Sequence, residues 1–334
     1  MIALAGCSAP AAPTRERPVN DTTDRLVDLC GRLREVVLPS LGQHAARDHA
    51  GIAVGGDVTF GIDELAEKLL VEYMRDELPT WAFYSEDGGL QGASEPELIL
   101  IVDPIDGTRP AAAGFETACV SIAAVPPLSA PTMGDVVAGV LQEIKGGDLF
   151  VAEKGAGFSM KRASGADIPF LPTERTDLES LFWTLGFRGR PAVILASVLE
   201  ELIDVSSVGG AAFDIGSATY SVTRILTGQL DAYVDIGPAI IEAHPWVEAE
   251  FRRVGRGNVL CNSPYDLAAV HVLCREAGVP IGDAAGRPLD DKPVLGSSAE
   301  YQLACIAAGN QELQGSLIEV VQRGIRDLRD MRTP

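Results

Sequence analysis

The stretch that most constrains the fold is residues 98–108, Leu-Ile-Leu-Ile-Val-Asp-Pro-Ile-Asp-Gly-Thr. An apolar run rich in β-branched residues predicts a buried strand that ends at a turn. Pro104 lacks a backbone donor and has a fixed φ, so we expect the chain to leave the sheet there. Asp103 and Asp106 can then turn toward one point at the carboxyl end of the strand, where open α/β sheets place ligands. Two carboxylates this close repel each other unless a cation lies between them.

The composition narrows the partners that this chain can have. Its 334 residues suffice for one large or two medium domains, and 46% of them are hydrophobic. The net charge of −20 argues against a nucleic-acid backbone or an anionic membrane as a partner. A phosphorylated substrate stays compatible with this charge, because a bound metal ion can reverse its sign locally. No apolar run approaches the roughly 18 residues of a membrane span.

The six cysteines indicate the cellular compartment. They show no Cys-x-x-Cys spacing, and most of them lie inside apolar runs. Buried free thiols in a reducing compartment explain this pattern better than a disulfide framework does, so we expect a cytoplasmic protein. The start Leu4-Ala5-Gly6-Cys7 resembles a bacterial lipoprotein cleavage box, but the charged and apolar regions of a signal peptide do not precede it.

Hydrophobic periodicity predicts the helices and strands. Residues 1–19, in which Ala and Pro are the commonest residues, are predicted to form a disordered tail. One helix is predicted from a cap at Asn20 or Asp21 up to Pro39. Further helices are predicted from Asp63 onward and at 192–203, 216–227 and 311–323. Strands are predicted at 81–86, 98–103, 118–125, 136–143, 149–153, 181–186 and 205–208.

The string Asp-Pro-Ile-Asp-Gly-Thr at 103–108 resembles a signature of the inositol monophosphatase family, which includes fructose-bisphosphatase-like and phosphoadenosine phosphatase relatives. Further matches follow in the same order from about residue 21 to residue 323. The resemblance implies an α/β fold, a layered αβαβα sandwich of the sugar-phosphatase type with two fused subdomains, and a homodimer. The N-terminal α+β metal-site subdomain would span residues 20–165, and the C-terminal α/β subdomain residues 175–334.

The resemblance also implies a metal site and a catalytic group in the first half of the chain. Glu86, in Ser-Glu-Asp-Gly, matches a metal-bridging glutamate of the family, although Ser85 replaces a glycine. Asp63 matches an aspartate that supports the catalytic Thr108, and a simple helix cap is the alternative role. A lysine that many members carry before this helix is absent. Two or three Mg²⁺ ions would be held by Glu86, Asp103, the Ile105 carbonyl, Asp106 and Asp266.

A second signature lies in the C-terminal half. Pro264-Tyr265-Asp266-Leu267-Ala268 resembles the family's Trp-Asp-x-Ala, and Asp266 would both cap a helix and bind metal. The similar string Pro-Trp-Val-Glu-Ala at 245–249 lacks the following helix with Glu-Ala-Gly, so we reject it. The segment 216–235 resembles the family's substrate segment, in which the final acid, here Asp235, contacts a sugar or inositol hydroxyl. The implied substrate-binding residues are Asp106, Gly107, Thr108, Gly216, Ser217, Ala218, Asp235 and Asp266.

Residues 236–263 form an insertion that is longer than the family's usual connection. It carries Arg252, Arg253 and Arg256 in an otherwise acidic chain. We expect a lid or a partner surface near the pocket, in which these arginines bind a second phosphate. The alternative is that they pair with local acids. Arg109 has the same two possible roles: it contacts the substrate, or it pairs with acids on the surface.

The resemblance implies a Mg²⁺-dependent phosphomonoesterase that hydrolyses inositol monophosphate or a related sugar phosphate with a metal-activated water. Glu86, Thr108 and Asp63 would be its catalytic residues. The alternatives are a fructose-1,6-bisphosphatase, a phosphoadenosine phosphatase, or a catalytically silent metal-binding homologue. The expected partner is a small phosphorylated polyol or sugar, with neither nucleic acid nor membrane.

Overall fold

The computed structural model describes residues 21–47, 49–53, 56 and 58–329. The predictions for the 1–19 tail and for the Leu4–Cys7 string lie outside the described residues. The helices are α1 (Asp21–Val37), α2 (Gly61–Glu77), α3 (Thr108–Ala113), α4 (Ala192–Ser206), α5 (Ala218–Leu226), α6 (Gly237–Ala243), α7 (Glu248–Val254), α8 (Pro264–Ala277) and α9 (Gln311–Asp327). The strands are β1 (His49–Ile52), β2 (Val58–Phe60), β3 (Ala82–Ser85), β4 (Gly89–Gly92), β5 (Ile99–Asp106), β6 (Cys119–Val125), β7 (Ala138–Glu143), β8 (Leu149–Glu153), β9 (Gly157–Lys161), β10 (Phe182–Leu185), β11 (Ala211–Phe213), β12 (Ala232–Asp235), β13 (Ile281–Gly282) and β14 (Cys305–Ala308).

Two mixed sheets organise the chain. The larger has seven strands in the order β4-β3-β5-β6-β7-β8-β9, and β3 and β5 are its parallel pair. The smaller has five strands in the order β11-β10-β12-β14-β13. Strands β1 and β2 form a separate hairpin. All eight residues of β5 are buried, as the apolar run at 98–108 predicts for a central strand that is covered on both faces.

Helices alternate with these sheets to make five layers. Helices α1 and α2 pack on the outer face of the seven-stranded sheet, and α5 and α8 fill the space between the two sheets. Helices α4 and α9 cover the outer face of the five-stranded sheet. The predicted layered αβαβα sandwich is therefore confirmed. The central core joins residues from both predicted subdomains, Leu141 from the first and Val222 and Leu267 from the second among them.

Two predictions of local structure are wrong. The chain does not leave the sheet at Pro104, because β5 runs on to Asp106 through an irregularity in its pairing with β6. Residues 205–208 are not a strand, since Ser206 still belongs to α4 and the strand follows at Ala211–Phe213. Val205 and Val208, both exposed, flank two serines at the end of α4, and this β-branched pattern resembles that of a short strand.

The cysteine prediction is confirmed for the described residues, where all five cysteines are buried and free. In the same part of the chain, no helix has both the length and the apolar character that a bilayer crossing requires.

Candidate active site

Three carboxylates from distant parts of the chain meet at the seam between the large sheet and the central helices. Asp103 and Asp106 come from β5, and Asp266 is in the first turn of α8. One oxygen of each lies within 4.8 Å of one oxygen of each of the others. The sequence prediction that these three acids converge is thus confirmed.

The irregularity in β5 brings Asp103 and Asp106 together. Asp103 pairs with Ser121 and Asp106 with Cys119, so three steps along β5 oppose two steps along β6. In a regular strand, residues three apart point to opposite faces. The extra residue is a bulge, the kind of site where a strand tolerates a proline, and it turns both carboxylates toward one side. Pro104 thus redirects the strand instead of ending it.

Each carboxylate is held by hydrogen bonds on one side. Ser217 Oγ donates to Asp106 Oδ2 at 2.7 Å, and both the backbone N–H and the hydroxyl of Thr219 donate to the same oxygen. The Ile105 N–H donates to Asp103 Oδ1 at 3.0 Å. The Ser263 N–H donates to Asp266 Oδ2 at 2.6 Å, which confirms that Asp266 caps α8. The second half of the chain therefore fixes the orientation of Asp106.

The cluster carries buried negative charge in excess of its local positive charge. Burial, followed by the nearby Glu86, Asp106 and Asp266, raises the pKa of Asp103 well above its usual value. Burial and the charge of Asp106 raise the pKa of Asp266 to about 8, and burial also raises the pKa of Asp106. Like charges in a low-dielectric site are stabilised by a proton or by a cation between them. An all-oxygen carboxylate set fits a hard divalent cation.

A cavity of about 470 Å³ opens onto the cluster. Among the predicted site residues, it is lined by Glu86, Asp103, Ile105, Asp106, Gly107, Thr108, Gly216 and Asp266. Its wall also contains Arg109, Phe115, Phe187, Arg188, Asp214 and Ile215. The structure therefore brings Glu86 to the carboxylate cluster, as its effect on the pKa of Asp103 also shows.

The turn after β5 carries Gly107 and Thr108. Gly107 has φ of 94°, a left-handed conformation that favours glycine, and a Cβ there would lie 2.6 Å from the Thr117 carbonyl oxygen. The Thr108 hydroxyl donates to the Ile105 carbonyl at 3.1 Å. Asp63 Oδ2 accepts the Phe60 N–H at 2.8 Å, so the helix-cap role of Asp63 is confirmed. Its support of Thr108 in catalysis stays a prediction.

Asp235 lies in a narrow inner branch of the site, about 60 Å³ in volume, that Gly216, Ser217 and Ala218 also line. Its side chain is buried and forms an ion pair with the equally buried Arg190. Tyr233 OH donates to Asp235 Oδ2 at 3.4 Å, and the Gly237 N–H to Oδ1 at 3.4 Å. The predicted contact with a substrate hydroxyl stays a prediction, but a hydroxyl would have to compete with Arg190.

The arginines of the insertion do not line this cavity. Residues 236–263 form α6, a 3₁₀ turn at Pro245–Val247 and α7 before they reach α8. Within the described residues, Arg252 pairs with Glu248 at 2.7 Å and Arg253 with Glu250 at 2.8 Å. The alternative in which Arg252 and Arg253 pair with local acids is therefore confirmed. The lid and second-phosphate roles of the insertion stay predictions. Helix α7 does begin in the string at 245–249, but it lacks the Glu-Ala-Gly of the family motif, and Glu248 pairs with Arg252.

The sequence analysis missed the arginines that do reach the site. Arg188 and Arg190 come from the loop Gly-Phe-Arg-Gly-Arg at 186–190, directly after β10. Two glycines and two arginines directly after a predicted strand indicate a ligand-binding loop, because loops at strand ends often bind ligands. Asp214 and Thr219 gave no motif of their own. Arg109 lines the cavity, and its guanidinium lies 5.2 Å from the Phe60 ring centroid.

The five layers and the acidic cluster at their seam define an αβαβα sandwich of the sugar-phosphatase type. The chain belongs to the inositol monophosphatase family, whose model matches residues 20–326. It is 26% identical to the Nus factor SuhB of Xylella fastidiosa over 79% of this chain and 82% of the relative. It is 24% identical to the fructose-1,6-bisphosphatase/inositol-1-monophosphatase of Methanothermobacter thermautotrophicus over 89% of this chain and 95% of the relative. The solved structure of the Thermotoga maritima IMPase superposes with a TM-score of 0.66 at 19% identity, covering 92% of this chain and 99% of that one.

Proposed function

We propose that this protein is a Mg²⁺-dependent phosphomonoesterase that acts on an inositol phosphate or a related sugar phosphate. The observation that supports it most is the buried triad of Asp103, Asp106 and Asp266 at the floor of an open cavity. Membership of the inositol monophosphatase family and the hydrolase names of several relatives point the same way. A metal-dependent phosphoric monoester hydrolase uses such a site to hold the ions that neutralise the phosphoryl group.

Glu86, Asp103, the Ile105 carbonyl, Asp106 and Asp266 would hold two or three Mg²⁺ ions. Bound there, Mg²⁺ would supply Lewis-acid polarisation of the phosphate and a bound water of lowered pKa. Glu86 and Thr108 would orient the attacking water for in-line displacement, and Asp63 would support Thr108. Gly107, Thr108, Gly216, Ser217 and Ala218 would position the ester. Asp106 keeps its orientation because Ser217 and Thr219 donate to it.

The test is phosphate release from a panel of inositol, sugar and nucleotide monophosphates and fructose 1,6-bisphosphate, with Mg²⁺ and with a chelator. We expect release that depends on Mg²⁺ and stops when the ion is removed. Release that is unaffected by the chelator, or absent for every ester at any Mg²⁺ concentration, would contradict the proposal. The second result would leave the catalytically silent homologue, a candidate because of the relatives named as Nus factors.

We predict that Thr219→Val weakens divalent-metal binding about 10- to 100-fold, as the loss of a residue that orients a metal ligand usually does. The substitution removes the hydroxyl that donates to Asp106 and keeps the side-chain volume. Calorimetric titration with Mn²⁺ measures the dissociation constant. Thr223→Val in the same helix is the control, because its hydroxyl donates to the Tyr220 carbonyl and not to the cluster. Equal affinities for the two variants would show that Thr219 does not support the site.

The expected homodimer, the cytoplasmic location and the absence of a nucleic-acid partner stay proposals. They rest on the family resemblance, on the buried free thiols and on the net charge of −20 respectively.

A further inference from the structure

Two connected cavities of very different volume lie next to the carboxylate cluster. The inner branch that holds Asp235 has a volume of about 60 Å³, and the outer cavity has about 470 Å³. Small-molecule sites usually measure about 300–1,000 Å³, so the outer cavity has the size of a ligand site and the inner branch does not. The ion pair of Arg190 with Asp235 lines the inner branch. The part of the substrate beyond its phosphate must therefore extend outward.

The outer wall is aromatic. Phe115 and Phe187 both line the outer cavity, and their exposed fractions are 64% and 44%. They come from different loops, Phe115 from the one after α3 and Phe187 from the one after β10. Exposed aromatic rings gain hydrophobic free energy when a ligand covers them and removes them from water. They bind planar groups by stacking. The guanidinium planes of Arg109 and Arg188, on the same wall, also favour planar or anionic groups.

Hydrogen bonds of the Arg190 side chain hold the loop that carries Phe187 in place. Arg190 donates to the Arg188 carbonyl, to the Leu260 carbonyl at 3.0 Å and to Asp235. A Cβ at position 186 would collide with the Asp235 carboxylate, so glycine is required for this close approach. These contacts of Arg190, which we call the Arg190 clasp, fix the backbone at residue 188. Phe187 then lies on the cavity wall. A loop backbone that is already held in place loses less entropy when a ligand binds.

We propose that the substrate is a sugar phosphate that carries a planar base, that is, a nucleotide, with the base against Phe115 and Phe187 and the phosphate at the carboxylate cluster. The inference rests on the proposed phosphomonoesterase activity and deepens it. Inositol and simple sugars offer no flat π-face to the two rings. A nucleotide offers both the phosphate ester and the ring.

The test compares AMP with ribose 5-phosphate, which carries a hydroxyl at C1′ where AMP carries the base. Stacking on aromatic side chains predicts that kcat/KM for AMP exceeds that for ribose 5-phosphate about 10-fold or more in the Mg²⁺-loaded protein. Phe115→Ala and Phe187→Ala should each move this ratio toward one. Phe187→Leu keeps an apolar side chain without a flat ring and should also lower the ratio. Phe213→Ala, at an exposed phenylalanine outside the cavity, is the matched control and should keep the ratio.

Equal turnover of AMP and ribose 5-phosphate by the unaltered protein would overturn the inference. A ratio that survives both alanine substitutions would do so as well. A change of oligomeric state in size-exclusion chromatography, with the ratio preserved, would assign the two rings to a contact between copies of the chain and would also overturn it. Failure to release phosphate from any ester is a different result, because it refutes the proposed activity itself.

Discussion

Asp103→Asn is expected to remove Mg²⁺-dependent phosphate release while it raises the melting temperature of the metal-free protein. Metal-assisted charge stabilisation is worth several kcal/mol, so the loss of one ligand should lower kcat about 10³-fold. The amide keeps an acceptor for the Ile105 N–H, as the carboxylate does now. Burial and three neighbouring acids raise the pKa of Asp103, so its charged form destabilises the metal-free fold. Each kcal/mol regained should raise the melting temperature by about 2–4 °C.

Phosphate-release kinetics and calorimetry after chelation measure the two effects. The exposed Asp291→Asn is the matched control, and we expect it to change neither quantity. Retained turnover in Asp103→Asn would show that the cluster is not the metal site. A lower melting temperature of the metal-free variant would show that the carboxylate has a structural role there.

Arg190→Met should lower the free energy of unfolding by about 3–5 kcal/mol, because it leaves Asp235 charged and buried without its partner. The expected fall in melting temperature is about 6–20 °C. Adding Asp235→Asn should recover much of this loss, since the double variant no longer buries an unpaired charge. Urea unfolding of the two single variants and the double variant forms a double-mutant cycle that isolates the pair.

The surface pair Arg323–Glu201, at 2.8 Å, supplies the comparison. Arg323→Met should cost less than about 1 kcal/mol, because exposed ion pairs contribute little. Similar losses for the two arginine variants would contradict the assignment of Arg190 as a buried clasp. A double variant that is no more stable than Arg190→Met would show that Arg190 acts by packing alone.

The central strand and two of the clustered acids were predictable from local signals, whereas the layered sandwich was implied by the family resemblance. Buried strands carry uninterrupted apolar runs, and the 98–108 string carries the turn chemistry and two of the three acids together. Asp266 was found because Pro264-Tyr265-Asp266 resembles a family signature, and a capping aspartate is compatible with that position. These features need little knowledge of how distant parts of the chain pack.

The residues that line the cavity could not be predicted from local sequence signals. Asp235 was expected to face substrate, and Arg190, which pairs with it, lies 45 residues away along the chain. Arg252 and Arg253 were conspicuous in the sequence, yet acids three or four residues away satisfy them. A charge in a sequence does not show which partner will neutralise it, because that depends on the packing of loops. The exposure of Phe115 and Phe187 depends on the same packing.

The helix layer formed by α5 and α8 has a consequence for the order of folding during synthesis. The large sheet is complete once β9 has emerged from the ribosome, but the helices that cover its inner face lie much later in the chain. The nascent chain therefore exposes an apolar sheet surface until α5 and α8 emerge, a state in which chaperones bind and aggregation competes with folding. Asp266 emerges with α8, so the nascent protein acquires its full set of clustered acids only in the last stage of translation.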